Sequence, residues 1–417
     1  MVTLKSFLGM IAAVPFIMAC NQTGQVNATL FPASGSENVN PDTHLVLTFS
    51  ETPVLGDSGM IRVYDAVTDQ VVDSLDLSIP SGPTESRTYG PECDYTKVPY
   101  DYTRTVVPTN KDTRPGTPSG TAEPTPPVYQ LTIIGGFTDA FHFYPVIVRD
   151  SIATIYLHNN MLEYGHTYYV TIDNGVLNLA DGSFQGVTKE DEWTFTTKSD
   201  MPELSDTLIV DATGKGDFNT VQGALDFIPD FNEQQTVILV NPGDYEELVY
   251  TRNKWNVKIK GAGMADTKVH YANNEVFNPH PLTVKTNEWP GTFPSRRAAF
   301  MLDNCKDIVI EDMTIATDLK GQAEGLLING ERIALYRVHI IGSGDALQAN
   351  GTIYMESCEL DGGGDTILGR GSLFAYKSNF RNGGGPFSWV RNTAGNHGNV
   401  FVECTFSTED GKQADYG

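Results

Sequence analysis

The stretch "LYRVHIIGSGDALQANGTIYMESCELDGGGDTILGRGSLFAYKSNF" (Leu335–Phe380) repeats one strand-like pattern every twenty residues. Its hexapeptides LYRVHI, MESCEL and AYKSNF are preceded by IEDMTI (Ile310–Ile315) and followed by FVECTF (Phe401–Phe406). The equivalent residues are spaced by 25, 20, 20 and 26 positions, and they are Met313, Val338, Cys358, Ser378 and Cys404. The residue two positions later is apolar in every repeat, so each strand offers an inward pair, with Ser378 as the polar exception. Strand repeats of this length without helices predict an all-β parallel β-helix, which buries its core only by stacking coils.

Two aspartates occupy the same position on consecutive predicted coils. Asp345 in "GSGDALQANG" follows Val338 by seven residues, and Asp365 in "GGGDTILGRG" follows Cys358 by seven. Neighbouring strands lie about 4.7–4.9 Å apart, so the two carboxylates should be close. Like charges at this distance raise one pKa, which suits a pair with one attacking and one proton-donating group. The next coil has Gly385 at this position, so the acid is not a feature of every coil. A glycine–aspartate turn without a catalytic role stays the alternative interpretation.

Composition limits the domain count and the partners. A chain of 417 residues suits two or three domains, and 40% hydrophobic residues are enough for buried cores. The net charge of −24 disfavours nucleic acid as a partner, because like charges repel the phosphate backbone.

The first twenty residues, "MVTLKSFLGMIAAVPFIMAC", predict an export signal. One lysine precedes an apolar run from Phe7 to Met18, which is too short for a membrane span. The ending resembles a bacterial lipoprotein signal, in which Cys20 is lipidated; an ordinary signal peptide is the alternative. We expect an outer-membrane or cell-surface lipoprotein of a bacterium whose lipid is its only membrane anchor, or else a periplasmic or secreted protein.

Residues 21–198 contain short β-type runs separated by turn residues and predict a β-sandwich. The beginning and end of this region resemble bacterial Ig-like modules, and residues 89–128 form a Pro/Thr-rich loop within it. We expect this domain to act as a spacer, joined through a linker at 199–206 to a β-helix at 207–417. At its start, Val221, Ala224, Leu225 and Ile228 have helical spacing, and this helix should cap the solenoid.

Six motifs follow one another between Leu208 and Phe406: "DATGKGDFNTVQGALDFIP", "VILVNPGDYEELV", "NVKIKGAGMADTKV", "GQAEGLLI", "GSGDALQ" and "GGGDTILGRG". This series, in the same order, is a resemblance to the pectin methylesterases. It implies a right-handed parallel β-helix, no metal or other cofactor, and hydrolysis of methyl esters of polygalacturonate in pectin. We also expect a monomer.

The resemblance assigns roles residue by residue. Asp365 matches the nucleophile that forms an acyl-enzyme, and Asp345 matches the acid that protonates methanol and then activates water. Gln322 matches an oxyanion-stabilising glutamine. The family's second such glutamine is Gly344 here, so Gln348 is predicted to replace it. Trp389 is predicted to be a sugar platform in place of the family's aromatic residues.

The resemblance also implies a missing cation. The family's arginine beside the nucleophile stands in a "GRPW"-like segment that does not occur before Gly417. Arg370 and Arg391 are the nearest candidates, and Arg370 is predicted to reach the substrate site. We therefore expect a C-terminally truncated or weakly active enzyme.

Two other functions stay open at this point. One is another pectin-active β-helix enzyme, either a calcium-dependent lyase or a polygalacturonase. A lyase needs several carboxylates around one cation, and a polygalacturonase needs carboxylates roughly 6.5–9.5 Å apart, wider than one coil. The other is a non-catalytic glycan-binding lipoprotein.

Overall fold

The computed structural model describes residues 26–82, 130–137, 141–204, 207–275, 277–278, 296–392 and 394–409. The predicted signal with Cys20, the Pro/Thr-rich loop at 89–128 and the last eight residues lie outside these ranges. In the described part, no helix is long and apolar enough to cross a membrane.

The N-terminal domain is a sandwich of β-strands. Its strands are β1 (Thr29–Phe31), β2 (Ser36–Val39), β3 (Leu45–Thr48), β4 (Val54–Leu55), β5 (Met60–Asp65), β6 (Gln70–Asp76), β7 (Leu131–Thr132), β8 (Phe141–His142), β9 (Val146–Arg149), β10 (Ile152–Ile155), β11 (Thr167–Ile172), β12 (Leu177–Asn178) and β13 (Thr194–Thr197). One sheet has the order β1-β3-β10-β9, the other has the order β2-β13-β11-β5-β6, and buried side chains of both share one core. The relation of this domain to Ig-like modules stays a prediction.

In its described residues, the second domain is one parallel sheet of seventeen strands, wound into a solenoid, with one helix. Its elements are β14 (Thr207–Val210), α1 (Val221–Phe227), β15 (Thr236–Val240), β16 (Gly243–Glu246), β17 (Val249–Arg252), β18 (Trp255–Lys260), β19 (Thr267–Tyr271), β20 (Phe300–Thr317), β21 (Leu326–Ile341), β22 (Leu347–Ala349), β23 (Thr352–Glu356), β24 (Glu359–Gly362), β25 (Ile367–Gly369), β26 (Ser372–Tyr376), β27 (Asn379–Asn382), β28 (Ser388–Val390), β29 (Asn399–Val402) and β30 (Thr405–Thr408).

The ladders confirm the predicted parallel β-helix. Met313 pairs with Val338, and Ile340, Leu360, Phe380 and Phe406 pair in succession, as the repeat predicts. The inward pairs lie in one continuous core cluster. The exception, Ser378, is buried with its hydroxyl bound to the amide of Cys358 and the carbonyl of Tyr376. A buried hydroxyl is tolerated there because both of its hydrogen bonds are made.

One face of the solenoid holds the strands that lead away from the predicted aspartates, and we call it the site face. It consists of β17, the first residues of β20 and β21, then β22, β25 and β28, all paired in parallel. Its outward ladder runs through Tyr250, Met301, Leu327, Gln348, Leu368 and Trp389.

The predicted cap helix is present and is held by both domains. Thr220 is its N-cap, and its hydroxyl accepts from the amide of Gly223. Glu247 accepts from the first two helical amides, and Asp42 of the sandwich accepts from the amides of Asn219 and Thr220. Carboxylates at this end satisfy amides that have no partner inside the helix.

The sandwich packs directly onto the site face, which corrects the expectation of a spacer. Tyr250, Met301 and Leu327 point outward from the solenoid, and all three are buried in the sandwich's core cluster. The ring of Tyr250 lies 4.6 Å from that of Phe141, centroid to centroid, and its hydroxyl donates to the carbonyl of Ala298. The sandwich thus covers the first coils of this face.

An ionic cluster adds to the junction. Arg149 of the sandwich binds Glu246 through two nitrogens, and His270 is held between Asp244 and Asp318. These carboxylates raise the pKa of His270 to about 9 against the opposing effect of burial. Arg149 and protonated His270 therefore balance part of the negative charge of the carboxylates in this cluster.

Candidate active site

Three carboxylates stand in register on the site face. Leu326, Leu347 and Ile367 are paired neighbours, and an acid lies two residues before each of them: Glu324, Asp345 and Asp365. We call these three residues the acid column. Glu324 and Asp345 are buried, whereas Asp365 is half-buried. The predicted pairing of the two aspartates is therefore part of a longer series.

The two aspartates touch through the backbone. The amide of Asp365 donates to Oδ1 of Asp345 over 3.1 Å. Burial raises the pKa of Asp365 to about 6, with repulsion from Asp345 adding to it, while Arg391 and Arg297 oppose the rise. Burial also raises the pKa of Asp345. Carboxylates this close retain a shared proton at a higher pH than isolated ones.

Arg297, just before β20, supplies a cation to this column. Its Nη2 lies 2.8 Å from Oδ2 of Asp345, and its Nε lies 2.8 and 3.0 Å from the two oxygens of Glu324. Glu324 is fully buried, and burial raises its pKa to about 7 against the attraction of Arg297. A planar guanidinium with five donors suits several acceptors at once.

Gln322 lies beside the column, on the coil before Asp345. Its Oε1 accepts from Nη1 of Arg297 over 2.9 Å. Since arginine only donates, this contact fixes which end of the amide faces the guanidinium. The Nε2 end, a donor of two hydrogen bonds, then points away from Arg297. This is the end that an oxyanion would need.

Gly344 explains why the second family glutamine is absent. A Cβ at this position would lie 2.7 Å from the carbonyl oxygen of Gly321 and 2.9 Å from Cα of Gln322. Both atoms belong to the backbone of the neighbouring coil, so neither can move aside cheaply. A residue with a side chain does not fit between these coils.

The other predicted contacts lie along the outward ladder. Gln348 follows Leu327 and is buried, and its Oε1 makes no hydrogen bond to a described residue. Trp389 stands two coils further along the ladder and is 53% exposed. Both residues share the face of the acid column. Their roles as amide donor and sugar platform stay predictions.

The two arginines named from the sequence separate in the structure. The charge of Arg391 opposes the rise in the pKa of both aspartates, so Arg391 lies near enough to act on the pair. Arg370 lies at the other end of β25 and lines a shallow hollow with Asn350 and Asn396, which bind its backbone. Arg370 is not among the charges that act on Asp365, and its predicted role in substrate binding stays a prediction.

A family model described as pectinesterase matches residues 207–383. The match covers most of the solenoid and less than half of the chain. Among curated proteins, pectinesterase QRT1 of Arabidopsis thaliana is 31% identical over 170 residues, which are 39% of this chain and 43% of that protein. Pectinesterase 31 of the same plant is 29% identical over 165 residues, 38% of this chain and 51% of that protein. The chain thus spans about half the length of these relatives.

Solved structures are similar to about half of the chain at lower identity. The pectin methylesterase from carrot has a TM-score of 0.42 and 18% identity, covering 50% of this chain and 66% of that chain. PemA from Erwinia chrysanthemi has a TM-score of 0.41 and 18% identity, covering 50% and 68%.

The site contains two residues that sequence reasoning missed, Arg297 and Glu324. A signal for Glu324 was present: "EGLL" precedes "DALQ" and "DTIL", with the acid two residues before a leucine or isoleucine each time. Arg297 carried no such signal, because it lies outside the repeated hexapeptides.

Proposed function

We propose that this protein is a pectin methylesterase that hydrolyses methyl esters of polygalacturonate through an aspartyl acyl-enzyme. The observation that carries the proposal is the in-register pair of Asp345 and Asp365 beside the amide of Gln322. An ester hydrolase of this type needs a carboxylate nucleophile, a proton donor and an oxyanion donor, and these are the three groups present.

The first step is attack of the Asp365 carboxylate on the C6 carbonyl carbon of a methylated sugar. The resulting oxyanion is stabilised by the amide of Gln322. Asp345 gives its proton to the methoxy oxygen, the carbon–oxygen bond to that group breaks, and methanol leaves. The acyl group is then bound to Asp365 as an anhydride.

The second step returns the enzyme to its starting state. Asp345, now ionised, takes a proton from a water molecule whose oxygen attacks the acyl carbon. The bond to Asp365 breaks, and a free galacturonate carboxylate is released. Asp345 thus acts in both steps, first as the acid and then, once ionised, as the base.

Pectin rich in methyl esters is the substrate class that best fits this site. Pectinesterases are the curated relatives to which the domain is similar, and the matching family model has the same description. Trp389, exposed on the face of the acid column, is suited to stack on a sugar ring. We propose action as a monomer.

Methanol release from highly methylated pectin tests the proposed activity. We expect stoichiometric methanol and new carboxylates with no change in polymer length. Unsaturated chain ends would indicate a lyase, and new reducing ends would indicate a polygalacturonase. Retention of the polymer without any product would leave a glycan-binding protein, and each of these results would overturn the proposal.

The charge of the chain predicts a preference among pectins. At a net charge of −24 the protein should turn over nearly neutral, heavily methylated pectin faster than de-esterified pectin at low ionic strength. Added salt should reduce the difference, because screening shortens the reach of these charges to about 8 Å at roughly 0.15 M. Initial rates on both polymers at about 10 mM and about 150 mM salt measure it. A preference for low-methyl pectin at the lower salt concentration would contradict the prediction.

We also propose export and anchoring through lipid on Cys20. The proposal rests on the basic start, the apolar run from Phe7 to Met18 and the ending "FIMAC". Mass spectrometry of the mature protein tests it: a diacylglyceryl group on Cys20 is expected, and an unmodified cysteine or a cut elsewhere would contradict it.

A further inference from the structure

We propose that Arg297, anchored by the buried carboxylate of Glu324, is a positioning residue that holds Gln322 and Asp345 in their working orientations. The inference rests on the proposed function, since it assigns the support of that same site. It also assigns a cation to the site, Arg297, which was not among the arginines named from the sequence.

The contacts of Arg297 divide by nitrogen atom. Nε is directed at Glu324, Nη1 at Gln322 and Nη2 at Asp345, each at 2.8 to 3.0 Å. Nη2 also lies 2.7 Å from Oε1 of Glu324. One rigid group therefore fixes an oxyanion donor and an acid relative to each other, although they belong to different coils.

Glu324 is the anchor because it has no exposure to solvent. A buried carboxylate needs a charged partner, and both of its oxygens contact Arg297. The side chain of Arg297 itself is only 12% exposed, with Glu275 as a further acidic neighbour 3.6 Å away. The guanidinium is thus enclosed by acceptors and has one stable position.

Gln322 gains the most from this arrangement. It is the exposed member of the group, and an exposed amide would otherwise rotate between two orientations. The donation from Nη1 keeps Oε1 inward, so Nε2 is presented outward before substrate binds. Preorganised donors are effective in catalysis because they need no reorientation as charge develops.

Arg297 also sets the charge balance of the acid column. The groups that act on Asp365 are Asp345, which raises its pKa, and Arg391 and Arg297, which lower it. Removal of the cation should raise the proton affinity of the column. Glutamine at position 324 should change it little around pH 6, because the Glu324 carboxyl, with a pKa of about 7, is largely protonated there.

The first test separates the planar geometry of the guanidinium donors from its positive charge. Lysine at 297 keeps the positive charge but cannot bind three acceptors in one plane. For Arg297→Lys we expect kcat on methylated pectin to fall about 10- to 100-fold with KM nearly unchanged, somewhat less than the ~10²–10³-fold cost of losing an oxyanion donor. The matched control is Arg332→Lys, whose arginine forms an exposed two-nitrogen contact with Asp307. It should keep full activity.

The second test uses pH. The wild-type rate should rise through about pH 6 as Asp365 becomes ionised. Arg297→Gln should move this limb to higher pH, whereas Glu324→Gln and Arg297→Lys should leave it in place. The titration of ¹³C-labelled aspartate carboxyls, followed by NMR without substrate, should show the same pattern.

The outcomes distinguish the two proposals. If the wild type releases no methanol, the proposed function fails, and the NMR titrations still test the charge balance. If the wild type is active but Arg297→Lys keeps full kcat, the positioning role is wrong. A limb that stays in place in Arg297→Gln would overturn the charge argument. Should Arg297→Gln fail to fold because Glu324 is left unpaired, Arg297→Lys still decides the positioning role.

Discussion

Replacement of Asp365 by asparagine is expected to reduce methanol release by roughly 10⁴-fold or more, since loss of a nucleophile removes the covalent route altogether. The fold should survive, because Asp365 is half-buried and asparagine has nearly the same size and shape. The measurement is single-turnover methanol release on highly methylated pectin, together with the thermal midpoint of unfolding.

A matched control lies four residues away. Asp361, on β24, binds His339 and Arg381 on another face of the solenoid. Asp361→Asn should lose a surface ion pair worth about 0.2–1 kcal/mol while keeping its activity. Methanol release from Asp365→Asn at the wild-type rate would refute the nucleophile assignment, and equal losses in both variants would point to unfolding instead.

Replacement of Tyr250 by alanine is expected to lower the free energy of unfolding by about 3–5 kcal/mol, the cost of deleting a large buried aromatic side chain. Tyr250 is fully buried between the domains, with the rings of Phe137 and Phe141 against it. Denaturant unfolding measures the change. Phe374→Ala, at a 41% exposed site on β26, should cost less than about 1 kcal/mol and serves as the aromatic control.

Tyr250→Phe isolates the hydroxyl. It keeps the ring and removes one of two donors to the carbonyl of Ala298, to which Nδ2 of Asn273 still donates, for an expected cost of about 0.5–1.5 kcal/mol. If Tyr250→Ala cost no more than Tyr250→Phe, the packing of the ring would contribute nothing, and the junction between the domains would be weaker than its contacts imply.

Much of the second domain was predictable because its strands repeat. The interval of twenty residues placed Asp345 and Asp365 on neighbouring coils, and the inward pairs named the core without a structure. Ser378 showed that a repeat tolerates one polar residue when its hydrogen bonds are satisfied. Periodicity reports which residues face inward and which coils are neighbours.

Periodicity does not report what happens between repeats. Arg297 lies in a long interval between Tyr271 and Phe300, so no count along the repeats brings it to Asp345. The packing of the sandwich on the solenoid could not be predicted for a different reason. Tyr250, Met301 and Leu327 alternate with inward residues, and one strand cannot show that its outward side chains are also buried.

The covered first coils make the two domains unsuitable for exchange with other proteins. A solenoid of this kind could in principle be recombined with any N-terminal module, since its own core is continuous from coil to coil. Here a new module would have to supply an apolar surface matching Tyr250, Met301 and Leu327. It would also have to keep the hydroxyl of Tyr250 on the carbonyl next to Arg297. We therefore expect the solenoid to be inherited together with the sandwich that covers it.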